Sequence, residues 1–354
     1  MVGRLESIAI MKNALPLALF LSSGIAAHAA PVAVTEPVGF TTAGGVAVRV
    51  GFTTPVGMLT EHLRPGMNLI GLRLHQTVMA SGAIGGIGAD FAELGGLNDD
   101  QADKLRLAMI EGKTYVLEIT SGAKAGVIQE VTQWQGLRLM LADDLAGAGV
   151  KTGDKFNLRQ CATLNSVFDP RSTRLQAGEG PGTADAVLIP QGAAFGDFRA
   201  CFILRAPGIP ALWVDAATLK PVGDLPLVYP DGLVVRITGL NPVDMVFSGE
   251  VKGGPTRCVI KPGLNLLATP YPGCDHLQGL GLENDLSKSD NPMQADQVWV
   301  AEASGGGAFT IYFLDMAGHW INANSGEEVA GKIPTGSAVL VDRKGPAALF
   351  CLGK

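Results

Sequence analysis

The octapeptide PGMNLIGL (Pro65–Leu72) recurs as PGLNLLAT (Pro262–Thr269), 197 positions further along the chain. A chain that writes one turn-and-strand signature twice is constrained to build two versions of one unit, because each apolar run needs its own core. In P-G-x-N-L the proline presets φ for the second turn position and the glycine accepts positive φ at the third, a type II reversal. The asparagine can bond the turn backbone, and the apolar run after it reads as a buried strand.

The octapeptides are one edge of a longer duplication. ADAVLI (Ala184–Ile189) matches ADQVWV (Ala295–Val300), and FRACFIL (Phe198–Leu204) matches FTIYFLD (Phe309–Asp315). LWVDA (Leu212–Ala216) then matches HWINA (His319–Ala323), which superposes Trp213 on Trp320. LPLVYPDGLVVR (Leu225–Arg236) aligns with IPTGSAVLVDR (Ile333–Arg343), arginine on arginine, with one shift at the turn. Pro65, Gly66, Asn68 and Trp213, with Pro262, Gly263, Asn265 and Trp320, therefore read as structural positions of the repeat. Each tryptophan follows a turn and is expected to fill a core; a sugar-stacking platform is the rival role.

Residues 75–165 read as material inserted between PGMNLIGL and the first A-D-x-V strand. LNDDQADKLRLAMIEG (Leu97–Gly112) is the one good helix. Asn98 can cap it, Asp99 and Asp100 favour its first turn, and Leu105, Met109 and Ile110 share a face. YVLEITSGAKAGVIQEV (Tyr115–Val131) predicts two strands around a glycine-bounded reversal. The 47 glycines and 21 prolines suit frequent reversals between short strands. The predicted fold is mainly β: two related sandwich- or barrel-like modules with one short helix in an insertion. The predicted division is a leader at 1–29, a β region at 30–168 holding helix 97–112, a first β-module at 169–255 and a second at 256–354.

Lys12, the apolar run ALPLALFL (Ala14–Leu21) and Ala27-His28-Ala29 form the three regions of an export signal, with a mature start at Ala30. Met11 opens a better signal than Met1. Export places the chain outside the cell, at its surface or in a periplasm. Beyond the leader no apolar run reaches the roughly 18 residues of a membrane helix. Cleavage removes Arg4, Lys12 and Glu6 and takes the formal net charge from −6 to −7. With its cations scattered singly, such a chain has no footprint for nucleic acid. Only 17% of residues are charged, which leaves apolar surface for a partner or another copy. An oxidising compartment permits disulfides, but the odd count of five cysteines leaves at least one thiol unpaired or bonded between chains. With no CxxC or Cys/His spacing for zinc, they read as small buried hydrophobes more than as a scaffold.

TEPVGFTT (Thr35–Thr42), YVLEITSGAKAG, GDKFNLRQCATLNSVF (Gly153–Phe168), the A-D-x-V strands with their tryptophans, and PGLNLLATPYP (Pro262–Pro272) carry a resemblance. Together they resemble an uncharacterised family of exported, paralogue-rich verrucomicrobial β-repeat proteins, over nearly the whole mature chain. That resemblance implies a secreted or envelope protein and brings no active site. PGLNLLATPYP is also similar to the edge of small β-modules appended to exported bacterial proteins, which serve as surface or matrix building blocks.

The chemistry-bearing words are weak. Ser121-x-x-Lys124, Lys151-Thr152-Gly153 and Ser289-Asp290-Asn291 spell the serine β-lactamase signature. Their order is wrong, however, and Ser121 lies in a strand reversal instead of at a helix start. ENDLSKSDN (Glu283–Asn291) lacks the regular spacing of a calcium loop. Asp99-Asp100 and Asp143-Asp144 are adjacent pairs, which would face opposite ways in a strand. His62, His75, His276 and His319 have no metal-ligand spacing, and GGIGADF (Gly85–Phe91) is no phosphate loop. No catalytic residue, cofactor or metal site is expected.

The functional expectation is a secreted, non-enzymatic structural, adhesive or assembly-forming protein of the envelope or matrix, partnered by itself or by a matrix component. An extracellular polysaccharide-binding module and a hydrolase built from dispersed carboxylates are the alternatives. The hydrolase requires two buried carboxylates facing one cleft.

Overall fold

The structure is a computed structural model that describes residues 56–191, 196–273, 276–302 and 307–353. The leader, TEPVGFTT and Cys274 lie outside the described residues.

The first unit opens with β1 (Val56–Leu63) and β2 (Gly66–Gly71). The chain then builds β3 (Val78–Ile87), β4 (Phe91–Gly95), α1 (Asp99–Ala108), β5 (Tyr115–Ile119), β6 (Ile128–Gln135), β7 (Arg138–Leu141) and β8 (Lys155–Gln160). It continues through β9 (Ala162–Thr163), a one-turn helix α2 (Leu164–Val167), β10 (Ala186–Pro190), β11 (Phe198–Ala206) and β12 (Ile209–Asp215). β13 (Pro226–Leu227), β14 (Gly232–Ile237) and β15 (Val243–Glu250) complete the first unit. The second unit comprises β16 (Thr256–Ile260), β17 (Gly263–Ala268), β18 (Gln297–Ala301), β19 (Phe309–Leu314), β20 (Trp320–Asn322), β21 (Ala338–Arg343) and β22 (Ala348–Leu352).

The chain is mainly β, as the repeat predicts. Strands β3 to β8 close into a six-stranded barrel in the order β3-β4-β7-β6-β5-β8. Flanking it are two five-stranded sheets, β12-β11-β10-β14-β2 and β17-β21-β18-β19-β20, each accompanied by a two-stranded ribbon, β1-β15 or β16-β22. β2 is laddered to β14 and β1 to β15, so residues on both sides of the barrel make up the first unit.

The turn signature works identically in both copies. Gly66 and Gly263 adopt φ of 94° and 87°, where a side chain would be strained. Asn68 Oδ1 accepts from Arg64 N at 2.8 Å, and its Nδ2 donates to the carbonyls of Arg64, Gly66 and Val235. Asn265 repeats the set with Lys261 N, then Lys261, Gly263 and Val341 O. One amide thus closes the bend and ties it to the neighbouring strand. Asp185 and Asp296 make a second shared fastening, accepting from Gln176 N and Thr238 N in one copy and from Ser287 N and Lys344 N in the other.

The ladders correct the sequence alignment at its end. Ile237 faces Gly66 while Arg343 faces Gly263. Arg343 therefore occupies the place of Ile237, and Arg236 that of Asp342. Matching by identity pairs the arginines, whereas register follows burial. Arg343 turns inward because Asp296 receives its guanidinium; Asp185 takes the Thr238 hydroxyl instead.

The units meet through equivalent faces. Leu69, Leu188, Phe198 and Val234 pack with Leu264, Leu266, Trp299, Phe309 and Leu340. Contacts are reciprocal: Asp231 bridges Leu267 and Ala268 N donates to Pro230 O, while Gly71 N donates to Ser337 Oγ. Gly71 is required there, since a Cβ would lie 2.1 Å from Ser337 O. Such mutual contact is the pattern of a two-fold dimer, here inside one chain.

Helix α1 starts where expected, with Asn98 and Gln101 forming a capping box, but ends at Ala108. Leu105 and Met109 enter the barrel core, whereas Ile110, beyond the last turn, is exposed. Helix α2 is a second helix beyond the one the sequence predicts; Thr163 and Ser166 cap it reciprocally, a signal carried by TLNS. No helix among the described residues is long and apolar enough to cross a membrane.

Candidate functional site

Both tryptophans of the repeat sit in cores, opposite equivalent residues. Trp213 pairs with Ile203 and Trp320 with Leu314. Trp213 is 1% exposed, and its indole N–H donates to Phe168 O at 2.8 Å; Trp320 is 7% exposed. Pro65 and Pro262 precede the two positive-φ glycines at the bends described above.

The β-lactamase-like words serve loops. Ser121 Oγ accepts from Lys155 N at 2.8 Å on the barrel, while Asp290 Oδ1 in the second unit accepts from Met316 N at 3.0 Å. Asp144 caps its own turn through Gly147 N, and Asp143 meets Gln129. His62 lies 2.6 Å from Asp244, His319 lies 3.3 Å from Asp315, and His276 bridges Pro334 through its backbone. Cys161, Cys201, Cys258 and Cys351 are buried free thiols. Burial pushes Cys161 up to about 12 and Cys201 up to about 11, which leaves little reactive thiolate at neutral pH.

Sequence reasoning missed the buried charges. A cleft of about 360 Å³ separates the barrel from Val251–Pro255, the linker between the two units. Its barrel wall includes Ser81, Glu118, Asn157 and Arg159, and Lys252 enters from the linker. β5 is buried at every position, so Glu118 is carried inside by its apolar neighbours. β8 likewise carries Arg159 between Val78 and Val116. Glu250 arrives at the end of β15, where it and His75 exchange backbone hydrogen bonds.

These side chains form one connected cluster. Arg159 Nη1 donates to Glu250 Oε2 and to Gln76 O, each at 2.5 Å, and Arg159 Nε lies 3.7 Å from Glu118 Oε2. Lys252 Nζ touches Glu118 Oε1. Tyr229 OH donates to Glu118 Oε2 at 3.3 Å, and Val78 N donates to Glu250 Oε2 at 3.2 Å. The His75 ring packs on Tyr229 with centroids 4.1 Å apart. Two carboxylates thus meet two cations, which offsets the cost of removing four charges from water. Burial pulls the Lys252 ammonium down to about 8 and pushes the Tyr229 phenol up. Only Glu118 of the two carboxylates lines the cleft; Glu250 stands behind Arg159.

Burial, with Arg159 and Lys252 adding repulsion, also holds the His75 imidazole down to about 4. The folded chain therefore binds fewer protons here than the unfolded chain. This contribution to stability is intact above pH 6.5, declines as pH falls by about 1.4 kcal/mol per unit, and is fully lost below about 4. Denaturant titrations between pH 6.5 and 5 should show that slope, and His75→Gln should flatten it. An unchanged slope in the variant would assign the sensitivity elsewhere.

Among the described residues no group of three His, Cys, Asp or Glu side chains is placed to hold a metal ion. No family model, curated protein or solved structure matches the chain, so the cluster is read from its own chemistry.

Proposed function

We propose that the protein is an exported, non-enzymatic structural component that assembles with further copies of itself in the envelope or extracellular matrix. One observation carries this reading. In the second unit the barrel occupies the edge of β16: Val127 bridges Arg257, and Arg257 N donates to Gly126 O. The equivalent edge in the first unit, on β1, has no strand across it among the described residues. The ribbon it borders turns Leu63, Met245 and Phe247 inward and exposes Val56, Met58 and Val246. An unpaired edge beside exposed apolar side chains favours strand addition.

Export is supported by the leader pattern. The repeat residues and the buried charges serve to hold strands together, which supports a structural role. The mature chain should sediment as more than a monomer at micromolar concentration, and Met58→Lys with Val246→Lys should return it to a monomer. A clean wild-type monomer overturns the proposal. Retardation in polysaccharide affinity gels would favour the binding-module reading in its place.

A further inference from the structure

We propose that Glu118 and Lys252 condense into an intramolecular amide that fastens the barrel to the linker between the two units. The inference is independent of self-assembly and concerns a covalent modification of the chain.

The two side chains are 5% and 2% exposed and in direct contact. A buried ammonium ordinarily needs several acceptors. Among the described residues Lys252 Nζ has no well-formed hydrogen bond, and the Tyr229 ring centroid lies 6.0 Å away. Among the described residues the contact with Glu118 is the one ion pair that serves it, and an amide N–H requires only one acceptor. Burial acts in the same direction by lowering the pKa of the ammonium, since a dry site disfavours separated charges.

The surroundings supply what condensation requires. A proton passes from Lys252 Nζ to the Glu118 carboxylate, leaving a neutral amine beside a neutral acid. The amine lone pair then attacks Cδ. Charge that develops on Oε2 is met by the Tyr229 hydroxyl at 3.3 Å and the Arg159 guanidinium at 3.7 Å, an oxyanion-stabilising arrangement. Oε1 takes a proton from the attacking nitrogen and leaves as water, so a C–N bond forms, a C–O bond breaks and nothing is oxidised or reduced. The adjoining cleft, which both residues line, receives the water. Contact held by the fold substitutes for a chemical activating group, because fixed neighbours react with very high effective molarity.

Peptide mapping of the full-length protein tests the proposal. Trypsin acting on unmodified protein releases Thr114–Lys124 and Ile237–Lys252 as separate peptides. The amide predicts instead that cleavage after Lys252 is blocked and that Thr114–Lys124 is joined to Ile237–Arg257, lighter than the two by one water. Lys252→Arg keeps the positive charge but lacks the condensable amine and should restore the unlinked Thr114–Lys124 peptide. Tyr229→Phe should lower the linked fraction while leaving the same two residues joined in the remainder. Recovery of both peptides unlinked from folded wild-type protein overturns the inference, whatever the sedimentation result.

Discussion

Arg159→Ala is expected to lower stability by about 3–5 kcal/mol, because it removes one partner from a buried charge network. The loss falls mainly on Glu250. Glu118 keeps Lys252 and the Tyr229 hydroxyl, but Glu250 keeps only the backbone N–H of Val78 among its partners in the cluster. The Gln76 carbonyl is orphaned as well. Equilibrium denaturation should show the drop as a lower midpoint. Arg138→Ala is the proper contrast: its partner Glu93 is also an ion-pair carboxylate, but both side chains are half exposed. An exposed pair contributes at most about 1 kcal/mol. Similar small losses for both variants would show that the cluster is solvated and that its ion pairs do not hold the barrel to the units.

Trp213→Ala should cost about 3–5 kcal/mol, the range for emptying a large aromatic site in a core. The ring packs edge-on against Phe168 with centroids 6.2 Å apart, and its N–H holds the Phe168 carbonyl. Truncation leaves a cavity and an unpaired buried carbonyl together. Trp213→Phe should recover most of the packing but not the hydrogen bond, and so fall between the two. Trp320→Ala should cost less than Trp213→Ala, because Trp320 is nearer to solvent. A Trp213→Ala protein of undiminished stability that had lost affinity for a polysaccharide would replace the packing role with a binding one.

The repeat was legible because its determinants are local. The bend, its positive-φ glycine and the asparagine that bonds it lie within a few residues, and each copy checks the other. The barrel was only half legible: the β5–β6 reversal between glycines was readable, but closure through the β3–β8 pairing joins distant segments. The charge cluster lies further from sequence reach. Glu118, Arg159, Glu250 and Lys252 come from two barrel strands, a ribbon and a linker. Although Glu250 and Lys252 are two residues apart, no short spacing connects them to Glu118 or Arg159. A signal was present in YVLEI, where Glu118 interrupts a run otherwise suited to burial. Such an interruption calls for an opposite charge elsewhere. The misaligned arginines show the converse limit, since identity between letters said nothing about which of them faced inward.

The reciprocal contact between the two units has a thermodynamic consequence. Two free copies joined through these faces would separate on dilution. Carried on one polypeptide, each meets the other at an effective concentration of about millimolar or above. Lowering the amount of protein therefore has no hold over that interface, and the pair persists at any abundance at which the chain itself remains folded.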